Sequence, residues 1–214
     1  MGEFYKAIPG IARKTPYAPT ILNKKDVFLC DCPKCGRTRI NHTNRNISLL
    51  IEGKGKLPDY LMCGHYPFMI VSDRVLKAWE KVEITGYTSF PIELIDQQME
   101  EIQNVQYHNI IIDGRAELDF DKMGIKIIKI CCKCGAVEYN KHAWEFGVAI
   151  MKEGTYDNSD LFVFKYFEAS PVCTEKVLET VYINKLSNFV FNSYEAKFMY
   201  TAPNIDLKEL FGSR

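Results

Sequence analysis

The sequence predicts an α+β protein of two similar lobes, and three observations carry that expectation. The first is internal repetition. Cys32-Pro33-Lys34-Cys35-Gly36 returns as Cys131-Cys132-Lys133-Cys134-Gly135, and Glu52-Gly53, Asp59 and Ser72-Asp73-Arg74-Val75-Leu76 return in the same order as Glu153-Gly154, Asp160 and Thr174-Glu175-Lys176-Val177-Leu178, at offsets of 99, 101 and 102 residues. A slowly drifting offset kept through several landmarks reads as a duplication. The second is composition: among 214 residues, 13 Phe and 12 Tyr accompany many β-branched residues, a mixture that suits pleated surfaces. The third is a helix start placed alike in both copies, at Ser72 and Thr174. The expected lobes are residues 1–100 and 105–211, each a small, mostly antiparallel sheet with one helix.

Within each copy the order reads strand, knuckle, strand, strand, helix, strand. Val27–Leu29, Ile47–Ile51 and Leu61–Val71 fill the strand positions of the first copy, and Gly124–Ile130, Val148–Met151 and Leu161–Phe167 those of the second. Ser72 and Thr174 are expected to cap the helices by accepting a first-turn amide on the hydroxyl. Val75, Leu76 and Trp79, like Val177, Leu178 and Val181, then form an apolar face at helical spacing, which makes Trp79 a core residue. Ser89–Ile95 and Phe189–Met199 close the two units, and the polar stretch Asp96–Asn104 is expected to link them or to begin as a short helix.

Eight cysteines occur in a chain with neither a secretory leader at Met1 nor an apolar run long enough to cross a bilayer, so the expected compartment is the cytosol and the thiols are read as reduced or metal-bound. A Cys-x-x-Cys turn lets two thiolates reach one ion, and the following Gly allows the backbone to aim amides at the sulfurs. Cys32, Cys35, Cys131 and Cys134 therefore form the expected ligand set for one structural Zn²⁺. Four thiolates close the tetrahedron and leave no position for water or substrate. Cys30, two positions before Cys32, Cys132, next to Cys131, and Cys63 with His65 are alternative ligands. A redox role for one Cys-x-x-Cys needs a helix start in a βαβ unit, which neither copy offers. Cys173 reads as packing, and no histidine spacing, phosphate loop or nucleophile elbow marks a catalytic site, so the chain is not expected to be an enzyme.

Net charge is zero but unevenly spread. Through Arg45 nine Lys or Arg face three acids, whereas from Glu93 to Asp121 eight acids face Arg115 alone, which predicts two differently charged surfaces.

Through Cys32–Gly36 and Cys131–Gly135 the chain resembles the double-CxxCG family of bacterial immunity proteins of swarming-inhibition and polymorphic-toxin systems. Asp160-Leu161-Phe162, Thr174-x-x-Val177-Leu178 and Phe189-x-Phe191 are similar to the strand, helix, strand segment of a wider set of toxin-immunity domains. Cys132 inside the second knuckle and Cys30 beside the first depart from the family pattern. The resemblance implies a non-enzymatic protein that binds a cognate toxin domain in the producer's cytosol during bacterial competition. Many such toxins are nucleases with basic surfaces, so the acidic stretch, with Glu100, Glu101, Asp119 and Asp121, is the expected partner face. A zinc-ribbon nucleic-acid binder, favoured by Arg37 and Arg39 beside the first knuckle, is the alternative, and a pI near neutral opposes it. No membrane partner is expected.

Overall fold

A computed structural model describes residues 4–9, 17–23, 28–29, 32–37, 39–40, 47–53, 55–61, 68–102, 104–142, 148–193 and 206–211. It is an α+β protein made mostly of sheet. The strands are β1 (Phe4–Pro9), β2 (Tyr17–Ile21), β3 (Phe28–Leu29), β4 (Arg39–Ile40), β5 (Ser48–Gly53), β6 (Tyr60–Leu61), β7 (Met69–Ser72), β8 (Tyr87–Ile95), β9 (Tyr107–Ile112), β10 (Gly114–Ala116), β11 (Ile127–Ile130), β12 (Val137–Tyr139), β13 (Leu161–Phe164), β14 (Phe167–Thr174) and β15 (Phe189–Ser193). The helices are α1 (Asp73–Lys81), α2 (Glu175–Ile183) and the short α3 (Leu207–Phe211).

Two larger sheets run β2-β5-β8-β9-β7-β6 and β10-β13-β14-β1-β15, and two hairpins, β3-β4 and β11-β12, carry the knuckles. Each larger sheet is built around the same arrangement. The strand leading into the helix (β7 or β14) and the strand following it (β8 or β15) are separated by a third strand antiparallel to both. In the first sheet that central strand is β9, drawn from the 105–211 segment. In the second it is β1, drawn from the 1–100 segment. Each segment therefore completes its sheet with a strand from the other.

The helices face each other between these sheets. Val75, Leu76, Ala78 and Trp79 of α1 and Val177, Leu178 and Val181 of α2 share one buried cluster with Tyr5, Ala7, Met69, Val71, Ile110, Leu161, Cys173 and Phe191. Strand alternation supplies the second layer. Ile70, Leu61 and Tyr107 turn away from the helices to meet Ile21, Leu49 and Ile51, while Phe162, Phe164 and Val172 do the same against Ala116, Leu118 and Ile125. Both faces of the inner strands are covered, which explains their nearly continuous apolar sequence.

Ser72 and Thr174 occupy the expected N-cap positions, but neither side chain caps its helix. Their hydroxyls donate instead to a carboxylate, buried in the first case and half-buried in the second: Ser72 Oγ to Asp59 at 2.8 Å and Thr174 Oγ1 to Asp160 at 2.9 Å. The same carboxylates reach across to the loop after the opposite helix. Asp59 accepts Ser187 N at 2.7 Å and Ser187 Oγ at 3.0 Å, and Asp160 accepts Thr85 N at 3.0 Å and Thr85 Oγ1 at 3.2 Å. A cation two residues past each N-cap completes the set, Arg74 on Asp59 at 3.0 Å and Lys176 on Asp160 at 3.1 Å. Donating to a carboxylate gives each hydroxyl a strong hydrogen bond, and its oxygen accepts none from the amides of the first turn. Close approach in the second clasp also requires Gly86: its φ is +87°, and a Cβ there meets the Leu161 carbonyl oxygen at 2.1 Å.

Several local expectations shift. Leu61–Val71 is a β6–β7 pair and not one strand. Of Gly124–Ile130 only Ile127–Ile130 pairs, because Gly124, at φ +62°, ends a tight turn in which Ile125 N donates to Phe120 O. Val148–Met151 contributes a single bridge, Leu118 to Met151. Asp96–Asn104 forms no helix among its described residues; Asp96 Oδ1 accepts the amides of Gln98 and Glu100, and the chain returns as β9. The positions of Val27 and of residues 194–199 lie outside the described residues.

Three outcomes follow. Asp59→Ala takes the shared acceptor from the part-buried Ser187 amide and Ser72 hydroxyl and is expected to cost about 1–3 kcal/mol in a denaturant titration. Arg74→Ala, with its side chain half exposed, should cost at most about 1 kcal/mol. His108 on β9 is buried with its Nε2 3.6 Å from Asp73 Oδ1, and burial, opposed by Asp73, lowers its pKa. The unfolded chain then takes the proton first, so this contribution is complete above a pH of about 6.5 and is lost as pH falls toward the folded value. His108→Gln should weaken the pH dependence of unfolding below a pH of about 6.5.

Candidate metal centre

Each knuckle is a turn at the end of a two-stranded ribbon, built alike. Gly36 N donates to Cys32 O at 2.7 Å and Cys32 N to Arg37 O at 3.0 Å; Gly135 N donates to Cys131 O at 2.8 Å and Cys131 N to Ala136 O at 2.8 Å. Gly36 and Gly135 have φ of +68° and +72°, the left-handed conformation that lets the chain fold back after the second thiol. Backbone amides consequently face the leading sulfurs. Those of Lys34 and Cys35 lower the Cys32 pKa, and those of Cys134 and Lys133 bring Cys131 down to about 6. Against the amide of Ala136, burial and the neighbouring thiols push Cys134 up to about 12.

The two turns meet. Cys32 Sγ lies 3.8 Å from Cys131 Sγ, Cys35 Sγ lies 3.5 Å from Cys134 Sγ, and all four sulfurs are within 4.8 Å of one another. Metal–sulfur bonds of about 2.3 Å at tetrahedral angles place sulfurs about 3.8 Å apart, so this cluster could hold one metal ion. The expected ligands Cys32, Cys35, Cys131 and Cys134 are the residues brought together. Cys132 is exposed, and its Sγ accepts Lys34 Nζ at 2.9 Å outside the cluster. Cys30, Cys63 and His65 lie outside the described residues. Cys173 is fully buried on β14, where burial raises its pKa well above the usual thiol value.

Arg37 has a role that its sequence position did not signal: its Nη1 donates to Val137 O at 2.7 Å, binding the first knuckle to the second ribbon. The four acidic positions sit on two separate elements. Glu100 and Glu101 are exposed on the loop between β8 and β9. Asp119 and Asp121 border a cavity of about 570 Å³ whose wall also holds Lys126, Lys152, Lys165 and Tyr166. Asp119 is occupied there by the Lys122 amide at 3.1 Å and ammonium at 3.1 Å, which lower its pKa. No helix among the described residues is long and apolar enough to cross a membrane.

Neither protein-family models nor curated proteins give a match to this chain.

Replacing one thiol in each turn, Cys32→Ser with Cys131→Ser, is expected to abolish stoichiometric metal in elemental analysis. It should also lower the thermal midpoint by at least about 10 °C, since structural sites of this kind are worth on the order of 10 kcal/mol. Cys132→Ser should change neither.

Proposed function

We propose that this chain is an immunity protein that binds and neutralises a cognate antibacterial toxin domain in the cytosol, with a structural zinc and no catalytic role. The observation that carries the reading is the joining of Cys32, Cys35, Cys131 and Cys134 in one cluster, because the two CxxCG turns on which the family resemblance rests then act as a single site. Thiolates select zinc among common divalent ions, and four of them leave no coordination position for substrate or activated water. The ion's work is mechanical: it ties together ligands about a hundred residues apart.

An internal duplication accounts for this arrangement. Asp59 and Asp160, Ser72 and Thr174, Arg74 and Lys176, and Thr85 and Ser187 form corresponding contacts at offsets of 101 or 102 residues. The knuckles do the same at 99. A two-fold relation between the copies places one ion where both contribute equally.

Coexpression with the toxin domain encoded beside the gene is the test. Protection of the host cell, and a 1:1 complex of purified proteins that abolishes the toxin's activity, are expected. Undiminished toxicity with the immunity chain in excess overturns the reading.

A further inference from the structure

β11 lies at the candidate metal centre, leads into Cys131, and displays three exposed isoleucines. Ile127, Ile128 and Ile130 are 37%, 63% and 49% exposed, although β-branched side chains in a strand ordinarily mark a buried surface. Among the described residues the ribbon's only strand pairing is between β11 and β12, so the outer edge of β11 has no strand neighbour. An apolar, single-edged ribbon is a template for another chain. Charge narrows the choice. Lys126 and Lys129 lie on or beside the strand and Lys133 at the knuckle tip, all exposed, and Glu138, opposite Lys129, is the only acid on β11 or β12. Glu117, Asp119 and Asp121 share a cavity wall with Lys126 and Ile127, but Glu117 pairs with Lys165 and Asp119 with Lys122, so the charge carried by the ribbon itself around the isoleucines is positive.

We propose that the outer edge of β11 is the docking surface for the cognate toxin and receives an extended apolar segment flanked by carboxylates. This rests on the toxin-immunity reading and adds the place and the chemistry of contact. Strand addition supplies main-chain hydrogen bonds, side-chain alternation sets specificity, and carboxylates opposite Lys126, Lys129 and Lys133 speed and orient encounter. Those lysines by themselves would serve a nucleic acid equally well. The isoleucines separate the two, because they present no π-face for a base to stack on and gain nothing from a phosphate. The pinned knuckle holds the edge in place, since a two-stranded ribbon alone is marginal in water.

Binding of the full-length, metal-loaded chain to the toxin domain encoded beside it is measured by titration calorimetry at low and physiological salt. Ile128→Ser with Ile130→Ser, and separately Lys126→Glu with Lys129→Glu, are each expected to weaken binding at least tenfold with metal content and thermal midpoint unchanged. The lysine pair should also flatten the salt dependence. Glu100→Lys with Glu101→Lys, on a different loop, should bind as wild type. Unchanged affinity in both ribbon variants while the wild type binds overturns the docking site and leaves the immunity reading standing. A wild type that does not bind the toxin overturns that reading, and the docking site with it. Retention of duplex DNA or RNA by the wild type, lost on lysine reversal but indifferent to the serine pair, overturns the proposal in favour of a nucleic-acid surface.

Discussion

Two pairs of thiols can share one ion only if the chain holds them opposite each other, and that constraint falls on the apolar layer between the two large sheets. Val75 and Trp79 of α1 meet Val177 and Val181 of α2 there, with inner-face side chains from both sheets around them. Burial of this layer is the dominant favourable term, but it is non-directional and would tolerate sliding. Direction comes from the clasps. Asp59 reaches from before β6 to Ser187 beyond α2, and Asp160 from before β13 to Thr85 beyond α1, so each carboxylate fixes its own helix start and the opposite loop together.

Strand exchange makes the same point topologically. With β1 inside the second sheet and β9 inside the first, neither sheet keeps its central strand if the two segments part. A metal ion at the knuckles would then close ribbons whose short strands hold little surface of their own. The cross-contacts Lys34 to Cys132 and Arg37 to Val137 show how closely the two turns are already associated through protein atoms. Binding of an ion by the thiol cluster would therefore be linked to stability of the core, each favouring the geometry that the other needs.

The surface divides along the same line. Carboxylates of the acidic stretch are partly consumed inside the protein, Asp119 by Lys122 and Glu117 by Lys165 at 2.9 Å. Cations and exposed isoleucines instead gather on the β11 ribbon beside the knuckles. Net neutrality hides this separation, because formal charges sum without regard to place.

The sequence by itself determined what depends on near neighbours. The α+β class, both helices with their buried faces, the two knuckle turns and the four thiols were legible from helical spacing, Cys-x-x-Cys-Gly chemistry and the repeated order of landmarks. Only the tertiary structure decided the rest. That β1 and β9 change places, that the Ser72 and Thr174 hydroxyls serve carboxylates and not helix amides, and that Cys132 stands aside from the cluster are all pairings between distant residues. Ile127, Ile128 and Ile130 read as strand, with no indication of which faces are covered, because pattern reports side-chain chemistry alone. Their exposure is set by which strand lies alongside, a choice that the packing of the whole chain makes.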